Sequence, residues 1–215
     1  MKKIFLSLIL MLIFASKLGY AEDTHGIWSQ FEVEKKVTPK VSIGAGEELR
    51  FKDGMGLFYS ETRIGASYKA FSHLKAGLEY LHVEQKGKTD WTAENRPRIY
   101  LTPDYTIKGF LFEDRNSFEL RLKEFSENTF RYRNRLTITA PYKWTKFEIQ
   151  PYTSEELFIE SNRNGLEESQ LFAGFKYHIF GPLYGSAYYG LQGTKNSKAD
   201  WQQNQILGSG LKVSF

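Results

Sequence analysis

The chain has no cysteine among its 215 residues. A small secreted domain often relies on disulfides, and this one cannot. Beyond its first residues it has no apolar run approaching the roughly 20 residues of a membrane-spanning helix. It also lacks a strong excess of charge of one sign. Lys and Arg total 29 against 25 Asp and Glu, and three of the lysines, Lys2, Lys3 and Lys17, fall within the first 21 residues. Without those three the balance is close to neutral, so nucleic acid is not expected as a partner. There is no HExxH pair and no glycine-rich phosphate loop, which removes two common routes to metal-dependent or phosphoryl chemistry.

What is present begins with a leader. Met1-Lys2-Lys3 precedes an apolar run over residues 4–15, followed by Lys17 and the small residues Gly19 and Ala21. A basic start, a short apolar core and small residues before a cleavage point make a secretory signal peptide over residues 1–21. Residues 22–215 then form one exported domain. Aromatics make up 16% of the chain, with 13 Tyr and 17 Phe. An exported, aromatic-rich chain with no spanning helix is a periplasmic β-domain or an outer-membrane β-barrel.

The stretch over residues 94–141 separates these two. Arg96, Arg98, Tyr100 and Thr102 alternate with Ile99 and Leu101. Glu113, Arg115, Ser117, Glu119, Arg121 and Lys123 oppose Phe112, Phe118, Leu120 and Leu122. Arg131, Arg133, Arg135, Thr137 and Thr139 oppose Tyr132, Leu136, Ile138 and Ala140. Period two means strands with one polar and one apolar face. The same alternation, broken by turn residues, runs through the rest of the chain and gives eleven runs. Short and long connections alternate, as the periplasmic turns and extracellular loops of outer-membrane barrels do. The four tryptophans, Trp28, Trp91, Trp144 and Trp201, fall beside strand ends, where interfacial girdles would place them.

The last run puts Leu207, Leu211, Val213 and Phe215 on one face and ends on the aromatic. Leu211, Val213 and Phe215 look like the signal read by the barrel-assembly machinery. The fold class is therefore all-β: a single antiparallel transmembrane β-barrel of about 10–12 strands. Single-chain bacterial barrels have even strand numbers, so ten or twelve strands are expected. The run over residues 27–37 would then lie inside the barrel, pair irregularly, or be one of a pair whose other strand is not visible in the pattern.

Several pieces resemble a family of bacterial outer-membrane barrels, the domain of unknown function 2490. They are Trp28 with Glu34-Lys35-Lys36, the Glu48 to Arg50 strand end, Arg96-Pro97-Arg98, and Asp114-Arg115-Asn116 with Glu119 and Arg121. Arg131-Tyr132-Arg133-Asn134-Arg135, Pro151-Tyr152 with Glu156 and Phe158, Gly174, and the segment from Asn204 to Phe215 complete the set. The chain departs from the pattern at Ser169-Gln170, where a basic residue would precede the strand. The resemblance implies fold and location, and carries no activity.

In such a barrel the apolar faces meet lipid and lipopolysaccharide and the polar faces line the lumen. Arg96, Arg98, Arg115, Arg121, Lys123, Arg131, Arg133 and Arg135 would then face inward against Asp104, Glu113 and Glu119, an excess of five cations on one wall. An unpaired buried charge costs several kcal/mol, so a dry lumen is disfavoured. The reading is a narrow, anion-favouring diffusion channel for small acidic solutes, lined by Arg96, Arg98, Arg115, Glu119, Arg121, Arg131, Arg133 and Arg135. The alternative is a closed, salt-bridged structural barrel with an envelope-maintenance role. A third class, lipid-acyl hydrolysis, rests on His82 with Ser60 and Glu84, and the chain is not expected to be an enzyme. No cofactor or metal is expected, and the barrel reads as a monomer.

Overall fold

The structure is a computed structural model that describes residues 24–87, 90–162, 165–195 and 200–215. The leader expected over residues 1–21 lies outside them. Eleven strands follow one another: β1 (Thr24–Lys36), β2 (Val41–Lys52), β3 (Gly56–Phe71), β4 (Leu74–Lys86), β5 (Trp91–Ile107), β6 (Phe110–Lys123), β7 (Thr129–Thr139), β8 (Gln150–Glu160), β9 (Leu166–Phe180), β10 (Leu183–Lys195) and β11 (Trp201–Ser214). Each strand pairs antiparallel with its sequence neighbour, and the sheet closes between β1 and β11 into a barrel.

Each of the eleven alternating runs becomes a strand. The expected even number does not hold, because the odd strand closes the sheet in parallel. β1 runs in the same direction as β11, with Trp28 opposite Gly208 and Glu32 opposite Lys212. A parallel ladder can be made between strands distant in sequence without a hairpin. The seam also leaves no free edge, since the Phe215 amide donates to the Glu34 carbonyl at 3.0 Å. The segment over residues 27–37 is thus a full member of the wall, paired on its other side with β2.

Residues 37–40, 72–73, 108–109, 140–149 and 181–182 connect strands at one end, here called the turn end. Residues 53–55, 87–90, 124–128, 161–165 and 196–200 do so at the other, the loop end. The tight turn at Lys108 and Gly109 has positive φ at both residues, 51° and 85°. That is the twist a two-residue hairpin imposes, and glycine adopts it without strain. The asymmetry expected from sequence is slight, because the strands extend into what read as loops. The longest connection, residues 140–149, lies at the turn end. It is held by a Trp144–Ile149 bridge and by Lys143 Nζ donating to Glu148 Oε2 at 2.7 Å. That hydrogen bond holds the exposed Glu148 carboxyl below the usual carboxylate range.

The outer face carries a broad apolar belt. Ile64, Leu78, Ile99, Phe118, Phe130 and Leu207 are all more than half exposed. Two polar clusters interrupt it and satisfy themselves locally. Glu47 accepts from Ser60 Oγ at 2.9 Å and Thr62 Oγ1 at 2.6 Å. Asn134 Nδ2 donates to Asp114 Oδ1 at 2.6 Å, and Tyr132 to Asn116 Oδ1 at 2.5 Å. Trp91, Trp144 and Trp201 are exposed near the rims. Trp28 is not. It shares the inward parity of Gln30 and Glu32, is buried, and packs on Phe172 with 5.8 Å between ring centroids.

The parallel seam makes a sharp prediction. Ser29 and Ser209 are Cα partners on the exposed face. In a chain without other thiols, Ser29→Cys with Ser209→Cys should form an intramolecular disulfide, seen as a mobility shift reversed by reductant. A ten-strand closure that excludes β1 would leave both thiols free.

Candidate functional site in the barrel lumen

The inward face of β5, β6 and β7 presents arginines in alternating positions, and cross-strand pairing sets their partners. Glu119 on β6 lies opposite Arg98 on β5 and Arg131 on β7. Its carboxylate takes Arg98 at 3.0 Å, Arg131 at 2.5 Å and Arg133 at 2.8 Å. From there the pairing continues in both directions. Arg98 also bonds Glu79 on β4, which holds Arg115 at 2.7 Å. Arg133 also bonds Glu156 on β8 at 2.8 Å, which holds Arg135 at 2.6 Å through two parallel N–H bonds to one oxygen. An unbroken chain of alternating charge therefore spans five strands. Above it, Glu94 holds Arg96 at 2.7 Å and Arg121 at 2.6 Å, and Arg121 also pairs with Glu160.

The seven arginines expected to line an open lumen are thus all engaged by carboxylates. The excess of five cations does not survive. Glu94 shares the parity of Arg96 and belongs to the same wall. Glu79 and Glu156 sit on the flanking strands within reach of the arginine heads. Glu119 is 1% exposed and Arg96 4%, so this layer is dry. Charged forks meeting carboxylates at these distances are the strong class of hydrogen bond. An arginine–glutamate network of this kind fixes a unique arrangement more than it adds net stability.

Apolar side chains fill the space beside the network. Leu81, Val83 and Tyr59 form one buried cluster, and Trp28, Phe172, Tyr188 and Ile206 form another. Arg50 joins charge to aromatic: its guanidinium lies 3.8 Å from the Trp28 ring centroid and 4.2 Å from that of Tyr59. It is held in place by Glu48 at 2.5 Å. Small residues make room for these rings. A Cβ at Gly208 would lie 2.0 Å from the Tyr188 ring, and one at Gly77 would lie 2.3 Å from Tyr100. Tyr100 in turn carries Arg115 at 3.8 Å over its face, a cation–π contact.

Toward the turn end the lumen opens into a cavity of about 360 Å³. Its sides include Lys75, Arg115, Arg135, Thr137, Ser154, Lys176 and Lys212, and its inner surface includes Arg98, Arg133 and Glu156. Arg96, Glu119, Arg121 and Arg131 lie beyond it. The cavity is therefore a cup whose floor is formed by the ion-paired layer.

The remaining residues singled out from sequence fall elsewhere. Leu211 on β11 and Phe215 just after it are exposed. Ser60, His82 and Glu84 are on the outer face, and no nucleophile–base pair forms among them. The Ser60 hydroxyl is bonded to Glu47, while His82 Nδ1 meets Asn95 Oδ1 at 2.9 Å and Nε2 lies 4.0 Å from Glu84. A hydrolytic triad requires a nucleophile within hydrogen-bond reach of the base. Gln170, at the departure from the family pattern, is buried and donates to Glu168, a position where a cation would have found the same carboxylate. Among the described residues no group of histidine and carboxylate side chains gathers to hold a metal ion.

Fold and interior together define a closed, ion-paired β-barrel protein. The chain belongs to the family described as Protein of unknown function (DUF2490), which matches residues 25–204. No curated protein matches it.

Glu119→Gln would remove the one carboxylate that serves three buried guanidiniums. Loss of one partner of a buried ion pair costs about 3–5 kcal/mol. The variant should unfold at clearly lower denaturant concentration than the wild type in matched detergent, and an unchanged midpoint would refute the central role given to Glu119.

Proposed function

We propose that this chain is an outer-membrane barrel closed to solute flow, with a structural role in maintaining the envelope. The observation that carries this reading is the Glu119 cluster, a dry carboxylate on β6 bridging three arginines from the two strands beside it on the inner wall. An ion crossing the barrel would have to part that cluster and the aromatic packing beside it. The apolar outer belt supports the membrane setting, since side chains such as Leu78 and Phe130 are exposed on it and lipid would cover them. Lipopolysaccharide would meet the belt's outer-leaflet part. Leu211, Val213 and Phe215 would be read by the assembly machinery on the way in. The anion-favouring channel expected from the arginine count has less support, because each of the seven arginines that would line it is ion-paired with a carboxylate.

Refolded protein in a planar bilayer under a salt gradient tests this directly. Silence from a protein shown to be folded is the expected result. A steady conductance with a reversal potential favouring anions would overturn the closed-barrel reading in favour of the arginine-lined channel. Phospholipid hydrolysis compared between His82→Ala and wild type addresses the third reading, and equal, background-level turnover is expected.

A further inference from the structure

The turn-end cavity is not charge-balanced. Nine cationic side chains and six carboxylates line it, and Glu119 just behind the lining bonds two of the nine, Arg98 and Arg133. On one side the charges cancel: Lys212 bonds Glu32 at 2.7 Å and also pairs with Glu34, and Arg63 bonds Glu32 at 3.0 Å. The surplus sits mainly on the wall made by β6, β7 and β9. Arg115 and Arg135 are direct cross-strand partners on the inward face, where like charges repel. Each has only a share in a carboxylate, Glu79 with Arg98 and Glu156 with Arg133. Their side chains remain 29% and 42% exposed, in contrast to the sealed arginines deeper in.

Among the described residues no carboxylate lies within ion-pair distance of Lys176 on β9. Its ammonium lies 3.5 Å from Thr139 Oγ1 and 5.1 Å from the centre of the Tyr152 ring, and Glu113 acts on it only through space. The hydroxyls of Thr137 and Ser154, 3.2 Å apart, sit between the β7 and β8 positions on the same wall. An unpaired ammonium, two half-served guanidinium forks and adjacent hydroxyls, in a cavity large enough for a small solute, form a constellation of donors without enough acceptors.

We infer that the turn-end cup binds a small oxyanion, a phosphate or similar multiply charged group, held by Arg135, Lys176 and Arg115. Guanidinium N–H groups not used on Glu79 and Glu156 provide directed donors, and the ammonium provides the counter-charge. Repulsion between Arg115 and Arg135 is relieved when the anion sits against them. Binding is independent of conduction: a cup blind at its base takes a ligand from the turn end and passes nothing.

The test is calorimetric titration of folded, full-length mature protein in neutral detergent with inorganic phosphate, at constant ionic strength against chloride. Saturable binding is expected. Lys176→Met breaks no ion pair, so it should fold as the wild type does, and it should weaken phosphate binding about ten-fold, the loss of one charge-assisted contact. Arg115→Gln with Arg135→Gln should abolish it. Lys143→Ala, outside the cup, should leave it unchanged. Glycerol phosphate serves as a second arm: tighter binding than phosphate identifies a lipid headgroup as the source of the anion, and equal binding identifies a free solute. No saturable binding to the wild type, or undiminished binding to folded Lys176→Met, overturns the inference, while the conductance result stands whichever way this one falls.

Discussion

One carboxylate inside the wall sets the terms for the rest of the interior. Glu119 receives arginines from the strand before it, the strand after it and a position one pair further along. Its two oxygens are shared among three forks, so each arginine has donors left over for a second acid. That is why the network propagates to Glu79 on one side and Glu156 on the other. Propagation makes the wall stiff in the sheet's own direction, because each link ties a strand to its neighbour through side chains as well as backbone. A dry interior follows from that sharing. Arg96, Arg98 and Arg131 can be buried only where each finds an acid, and the alternation of acid and base across adjacent strands supplies it.

The fold was legible because period two is a strong signal. Runs such as Arg131, Arg133 and Arg135 against Tyr132 and Leu136 fix both strand and facing, and the structure keeps that parity. The arginines of β5, β6 and β7 therefore share the inner face that their spacing implies. Their neutralisation was legible in part. Glu94 has the parity of Arg96, and Glu156 lies on the strand next to Arg135, so both were within reach of a meander's neighbour relations. What parity does not carry is where long side chains point along the barrel. Arg121 turns toward Glu94 and Glu160, and Arg115 lies flat on Tyr100, and these choices decide whether a lumen is a tube or a cup. Trp28 illustrates a different failure: its place near a strand end suggested a girdle, while its parity with Gln30 already placed it inside.

The closing strand was the hardest part to foresee. A local pattern shows that residues 27–37 form a strand, and it says nothing about which distant strand completes the circle. The preference for even strand numbers reflects hairpin construction, in which neighbours alternate direction all the way round. An eleventh strand forces one parallel junction, whose slanted hydrogen bonds are slightly weaker per residue. Here β1 and β11 pair from Thr24 opposite Asn204 to Glu34 opposite Ser214, and backbone bonds from Phe215 and Lys36 finish the junction.

That junction also decides where the two ends of the sheet are found. In an even barrel the first strand starts on the same rim where the last one finishes, and a short turn could join them. Here Thr24 starts at the loop end and Ser214 finishes at the turn end. At about 3.3 Å per residue over the matched stretch, they stand roughly 35 Å apart along the wall. Circular permutation, which reorders the strands by fusing the ends and cutting another turn, therefore demands a linker as long as a strand. The barrel has a fixed beginning as well as a closed circumference.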